Sequence, residues 1–418
     1  EIRLSLVGSE MCIRDRFILM LVAGIYTYQL MWFKSSDELI TLLLALLCVL
    51  DILSNKNHRR YKGLFWIVGI MTFYLLYSLV GVHYNTPKAI FYDFFIQIKP
   101  FIAFYVAYAM GVRFTGAQKL FLKKLCVVLS VAMLGIILVG LGEAFFFHVA
   151  YYGLISTVLF LIYYYCSCQD MCRKDKIIML FILSVGFFST RSKFYGFYVA
   201  ALYLFLWYKP GQLSKVKLKQ WVMMALVFCG VLYVAWDKIN YYFISSGLFS
   251  GEENMDESFA RAALYIRAPQ VLMDHFFLGS GLASYATYSS GIIGYSLLYK
   301  EYNLDEVWGL LEGDCPFVSD TYFPELVQFG MVGIVLFFYF WIWVYKKLKI
   351  ITGSPYAVHL HKIGLMIILF IFIESVAGSA FLQGSGIIVM ILLGFVVRDI
   401  SVIREKETRV SKEAMVKK

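Results

Sequence analysis

Residues 323–345 read FPELVQFGMVGIVLFFYFWIWVY, with Lys346 and Lys347 directly after them. A bilayer's hydrocarbon core takes about 20 apolar residues as a helix, so this run is long enough to cross it. Its single carboxylate, Glu325, lies near the start, and the lysines close the far end. Working outward, similar apolar runs fall at about 17–33, 38–53, 64–82, 89–111, 123–142, 145–166, 177–189, 194–208, 221–236, 363–380 and 385–397. The expectation is an all-α, polytopic membrane protein of about twelve transmembrane helices.

Composition agrees. Of 418 residues, 61% are hydrophobic, 18% aromatic and 16% charged, and the mean hydropathy is +0.72. That is too little charge to clothe a soluble domain of this length. A β-barrel would instead show alternating segments of about ten residues. The net charge of +10 sits in short clusters between the apolar runs, a topological pattern that gives no reason to expect a nucleic-acid partner. The eight cysteines lie mostly in or beside apolar runs. CSCQDMC at 166–172 has no second ligand pair and no nearby histidine, so it reads as reduced thiols rather than a metal site.

The basic segments 54–63, 112–124, 169–176, 209–219, 346–362 and the tail all fall on one side of a twelve-span chain. The positive-inside rule makes that side cytoplasmic. The expected organisation is then 17–236 as helices one to nine and 237–322 as one large external loop carrying short amphipathic helices. Residues 323–397 supply helices ten to twelve, and 398–418 form a basic cytoplasmic tail.

TRSK at 190–193 breaks the charge rule by placing Arg191 and Lys193 on the outer side. A lone arginine could snorkel to headgroups. Two cations in so short a turn point to function, because charge at that depth is costly. With Arg261 and Arg267 of the loop they could gather a pyrophosphate, for which guanidinium groups offer fixed, bidentate donors. The spacing of Phe259, Ala263 and Ile266 beside these arginines predicts a surface helix that Pro269 ends or restarts.

His275 in DHFFLGSG is either a structural hydrogen-bonding residue or a base, and GSG at 279–281 reads as a tight turn. Asp320, just before a span, can cap its helix, act as a general base or bind sugar hydroxyls; Tyr322 joins it in the candidate substrate set, and Glu325 reads as structural. Asp51, Asp93, Lys99 and Glu374 lie inside spans without the grouping that an ion path needs, while His359 and His361 read as solvated.

Three motifs in order carry a resemblance: SxRSK at the outer end of one span, then R-x3-Y-x2-A with HFFLGSGL in the loop, then SDTYFPELVQFGMVG entering a span. Together they resemble the O-antigen ligase/polymerase superfamily, over most of the chain in element order and most closely over 258–336. The resemblance implies that Arg191 and Arg261 bind a lipid-linked pyrophosphate. Tyr265 stands where that family commonly has Trp, and Phe276 where Pro is common. Ser319 and Asp320 fall where the ligases carry His-Asn, and this departure favours polymerase chemistry.

The expected function is a glycosyltransferase of the bacterial inner membrane that polymerises polyprenyl-pyrophosphate-linked oligosaccharide repeats of O-antigen or capsule on the outer face. Arg191, Arg261 and Asp320 are its catalytic candidates; Lys193, Arg267, His275 and Tyr322 are its substrate-binding candidates; no metal or cofactor is called for. Expected partners are the lipid-linked glycan, the bilayer, a chain-length regulator and other glycan-assembly proteins. The alternatives are a ligase passing the glycan to lipid A core or another acceptor, and a transporter of lipid-linked sugar. Residues 1–16, EIRLSLVGSEMCIRDR, fit none of this: Arg3, Arg14 and Arg16 cancel Glu1, Glu10 and Asp15, and no signal-peptide pattern is present. Back-translated, LVGSEMCIRDR resembles a sequencing adapter read in frame, so native sequence is expected to begin near Phe17.

Overall fold

The computed structural model describes residues 36–54, 58–111, 114–146, 148–210, 260–349 and 354–416. The expected spans at 17–33 and 221–236, the segment 1–16 and the stretch 237–259, which includes Phe259, lie outside them. The described residues are all-α: their one ladder contact is an isolated bridge between Leu311 and Asp314.

The first helices are α1 (Ser36–Ser54), α2 (Lys62–Tyr77, continued by a π turn to Val82), α3 (Pro87–Met110) and α4 (Gly116–Leu138). Then come α5 (Gly142–Phe146), α6 (Ala150–Ser167), α7 (Arg173–Val185) and α8 (Ser192–Leu206). After them follow α9 (Ala260–Asp274), α10 (Leu297–Glu301), α11 (Gly330–Leu348), α12 (Pro355–Val376) and α13 (Gly384–Val416). Among the described residues, seven stretches are long and apolar enough to cross a membrane: Lys62–Val82, Pro87–Met110, Gly116–Leu138, Ala150–Ser167, Pro324–Leu348, Pro355–Val376 and Gly384–Thr408. The expected spans at 38–53 and 194–208 are shorter apolar helices.

Local chemistry sets the boundaries. Thr86 caps α3 by accepting the Ala89 N–H at 3.3 Å, Pro87 opens the helix, and Gly111 ends it in the left-handed region. The expected span at 177–189 begins earlier, at Arg173, because Asp175 accepts the Cys172 N–H at 3.0 Å. It leaves the α-helix at Val185 for a 3-10 turn, Gly186–Ser189. The expected span at 145–166 is likewise divided: α5 stops at Phe146, and α6 starts at Ala150 after a turn holding His148.

Helix α4 buries one stripe, Leu122, Cys126, Ser130 and Met133, and turns Val128, Val131 and Leu138 outward. An apolar exterior of this kind is costly in water and suits lipid. Helices α3 and α13 lie at the centre. Gly394 lets them touch, since a Cβ there would stand 2.6 Å from the Phe104 carbonyl oxygen.

Residues 260–329 are more than a loop with surface helices. Ala263, Leu264, Val271, Tyr285, Leu298, Tyr299 and Leu310 form a core separate from that of the bundle. Its buried tyrosines are satisfied: Tyr285 donates to the Leu264 carbonyl at 2.7 Å, and the Tyr299 hydroxyl accepts the Ala286 N–H at 2.9 Å. This cap is clamped to the α2–α3 connection. Asn85 donates to the carbonyls of Ala283 and Gly294 at 2.8 and 2.7 Å, and Tyr77 donates to Gly279 at 2.9 Å. Asp93, deep in α3, accepts the Ala283 N–H at 2.8 Å, which gives that span charge an anchoring role. The cap helix α9 runs through Pro269 instead of ending there. Pro269 is exposed, and the buried Ala260, Ala263, Leu264 and Val271 on the packed face hold the helix together across it.

Candidate functional site

One end of the bundle gathers charges from segments far apart in sequence. The tight turn between α7 and α8 puts Thr190 in the left-handed region, φ 49°, which a β-branched residue adopts at a cost of about 1–3 kcal/mol. That turn presents Arg191. Its Nη2 lies 2.8 Å from Nε2 of His148, while the Ala150 N–H donates to His148 Nδ1 at 3.1 Å. A neutral imidazole has one acceptor nitrogen, so these two contacts compete. Burial, and then the Arg191 guanidinium, hold the His148 pKa below its ordinary value; Asp320 opposes this, and Arg261 and Lys193 add to it. All four charged side chains therefore act on one imidazole.

Arg261, at the start of α9, is ion-paired to Asp320: its Nε donates to Oδ2 at 3.2 Å, and Nη2 reaches the same oxygen. Both side chains keep about a third of their surface open (32% each), so the pair is accessible to a ligand. The Arg191 Nε is buried with no acceptor among the described residues, leaving donor capacity on that guanidinium.

The end of α12 ties the pieces together. Lys193 Nζ sits 2.5 Å from Oε2 of the buried Glu374 and donates to the Ala377 carbonyl at 3.2 Å. Tyr265 donates to the Val376 carbonyl at 2.7 Å, and the Tyr322 N–H donates to the Ser375 carbonyl at 3.1 Å. Four consecutive residues thus receive the α8 turn, the cap helix and the strand of chain leading from Asp320.

Arg191, Lys193, Arg261 and Asp320 come together; the other candidates lie elsewhere. Arg267 bonds to Gln270 at 2.8 Å, within the cap. His275 follows the far end of α9, roughly 20 Å of helix from Arg261 at 1.5 Å per residue, with Nε2 3.2 Å from the Tyr84 hydroxyl. The Tyr322 ring is buried against Phe337 and Phe381. His359 and His361 are not solvated: Tyr164 meets His359 at 2.9 Å, and His361 is buried 2.9 Å from the Leu348 carbonyl oxygen. Lys99 pairs with Glu38 at 3.1 Å.

His148 is not among the residues that the sequence pattern singles out. Its signal was present, a single imidazole inside the apolar run FFFHVAYYG, but its arginine partner is 43 residues away. Glu374, one of the charges inside spans, serves as the counter-charge that holds Lys193. Compared with known protein families and with curated proteins, the chain finds no match.

Proposed function

We propose that the protein is a membrane glycosyltransferase of surface-polysaccharide assembly, polymerising polyprenyl-pyrophosphate-linked oligosaccharide on the outer face of the inner membrane. The observation that carries this reading is the convergence of Arg191, Lys193 and Arg261 with the accessible carboxylate Asp320 at one end of an apolar helical bundle. Three cations at a bilayer edge suit a diphosphate, and arginines suit it best because they donate in a fixed fork. On donor binding, the diphosphate takes over the Arg261 guanidinium and frees Asp320. An acceptor sugar hydroxyl then attacks the anomeric carbon and passes its proton to Asp320. The bond from that carbon to the pyrophosphate oxygen breaks, and the polyprenyl pyrophosphate departs with its developing charge against Arg191 and Arg261. The reading includes twelve spans, cytoplasmic termini and an external cap.

Arg261→Ala is the test. The variant protein should remain in the membrane while the surface glycan shrinks from a chain-length ladder to a single attached repeat. Normal ladders from that variant would overturn the assignment. Full-length polymer stranded on the lipid carrier would point to the ligase reading instead.

A further inference from the structure

A second feature lies away from the charged site. A cavity of about 640 Å³ runs between α2, α3 and α11, within the range of about 300–1,000 Å³ usual for ligand sites. It follows α2 from Lys62 to Tyr74, roughly 18 Å at 1.5 Å per residue, close to the ~15 Å depth of one leaflet. Its mouth is open toward lipid, where Trp66 and Tyr339 are 66% and 63% exposed, and its inner wall is the buried Met71, Phe337 and Phe340. Tyr74 and Gln97 at its inner end are already engaged: Tyr74 donates to the Phe329 carbonyl at 2.7 Å, and Gln97 donates to Glu325. The lining is mostly aromatic and aliphatic, so the interior offers chiefly hydrocarbon contact.

Its other end is cationic. Lys62 opens α2 at the cavity rim and has no carboxylate partner among the described residues. Lys347, in the last turn of α11, stands 5.7 Å over the ring of Trp343, which lines the same cavity. An elongated apolar groove of one leaflet's depth, with two lysines at its headgroup end, matches one acyl chain beneath an anionic headgroup.

We propose that this groove is a binding site for an anionic phospholipid of the surrounding leaflet, its phosphate between Lys62 and Lys347 and one acyl chain along α2. The site stands apart from the glycosyltransferase reading: of the candidate site residues only Tyr322 lines the cavity, and its ring lies away from the charged cluster.

The full chain, reconstituted in vesicles of equal parts phosphatidylglycerol and phosphatidylcholine, is extracted in detergent, washed, and its retained lipid quantified. Phosphatidylglycerol should be retained in preference by about fivefold or more, as expected for cationic side chains at a membrane surface. The double variant Lys62→Glu/Lys347→Glu should bring the two lipids to parity. Ile70→Trp, which fills the groove without touching its charges, should lower the amount of both retained lipids, with helical circular dichroism unchanged. If the double variant loses helicity, the milder Lys62→Gln/Lys347→Gln replaces it, with the same parity expected. The proposal is overturned by equal retention in the wild type, by a preference that survives loss of both lysine charges, or by unchanged retention in Ile70→Trp. Protein taken from cell membranes that carries a polyprenyl phosphate in place of phospholipid would overturn it as well.

Discussion

Two residues apart, Arg191 and Lys193 meet different partners. Lys193 holds the buried Glu374, whose side chain is 5% exposed. Removing one member of a buried pair leaves the other charge uncompensated, at roughly 3–5 kcal/mol. Lys193→Met should therefore lower thermal stability sharply, and Lys193→Met/Glu374→Leu should recover most of the loss; equal destabilisation by both would deny the pairing. Arg191 meets His148 instead. Local desolvation and the guanidinium hold that histidine's pKa below its ordinary value, so the folded state binds its proton more weakly than the unfolded chain does. Its contribution is complete above the unfolded histidine value of about 6.5 and is lost as pH falls below it. Under the proposed function, transfer activity should accordingly show an acid limb below about pH 6.5. His148→Asn should flatten that limb, and an unaltered pH profile would remove His148 from the site.

At the scale of elements, the cap depends on backbone contact. Gly279 and Gly330 have φ of 76° and 61°, and a Cβ on Gly279 would lie 2.3 Å from the Gly330 nitrogen. The tight turn expected at GSG falls just before it, at 275–278; GSG itself is a bend whose Gly281 N–H donates to the Gln328 carbonyl at 2.9 Å, beside the entry to α11. Gly279→Ala should cost at least the ~1–3 kcal/mol of a strained backbone and loosen the cap, measured as faster proteolysis within 260–329. Asn85→Ala removes its two hydrogen bonds to the cap, worth about 0.5–1.5 kcal/mol each, and should act in the same direction more weakly. The cap was hard to foresee because its core combines alanines, tyrosines and irregular turns, which follow neither the helical nor the strand period. The bundle helices were legible because a long apolar run is a local property.

For the whole molecule, the proposed topology predicts that a reporter fused after residue 408 reads cytoplasmic while one inserted between 237 and 259 reads external. Both reporters on one side would exclude that arrangement. The sequence by itself determined that the protein is helical and membrane-embedded, since length and hydropathy act residue by residue along the chain. It also marked Arg191 and Lys193 as charges in a costly place, and singled out Arg261 and Asp320 by residue type and motif. Only the tertiary structure decided their partners. Arg261 finds Asp320 across 59 residues, and Lys193 finds the end of α12 across 184, where it pairs with Glu374 and binds the Ala377 carbonyl. Such contacts follow from how helices pack and where the cap docks, and no local pattern encodes either.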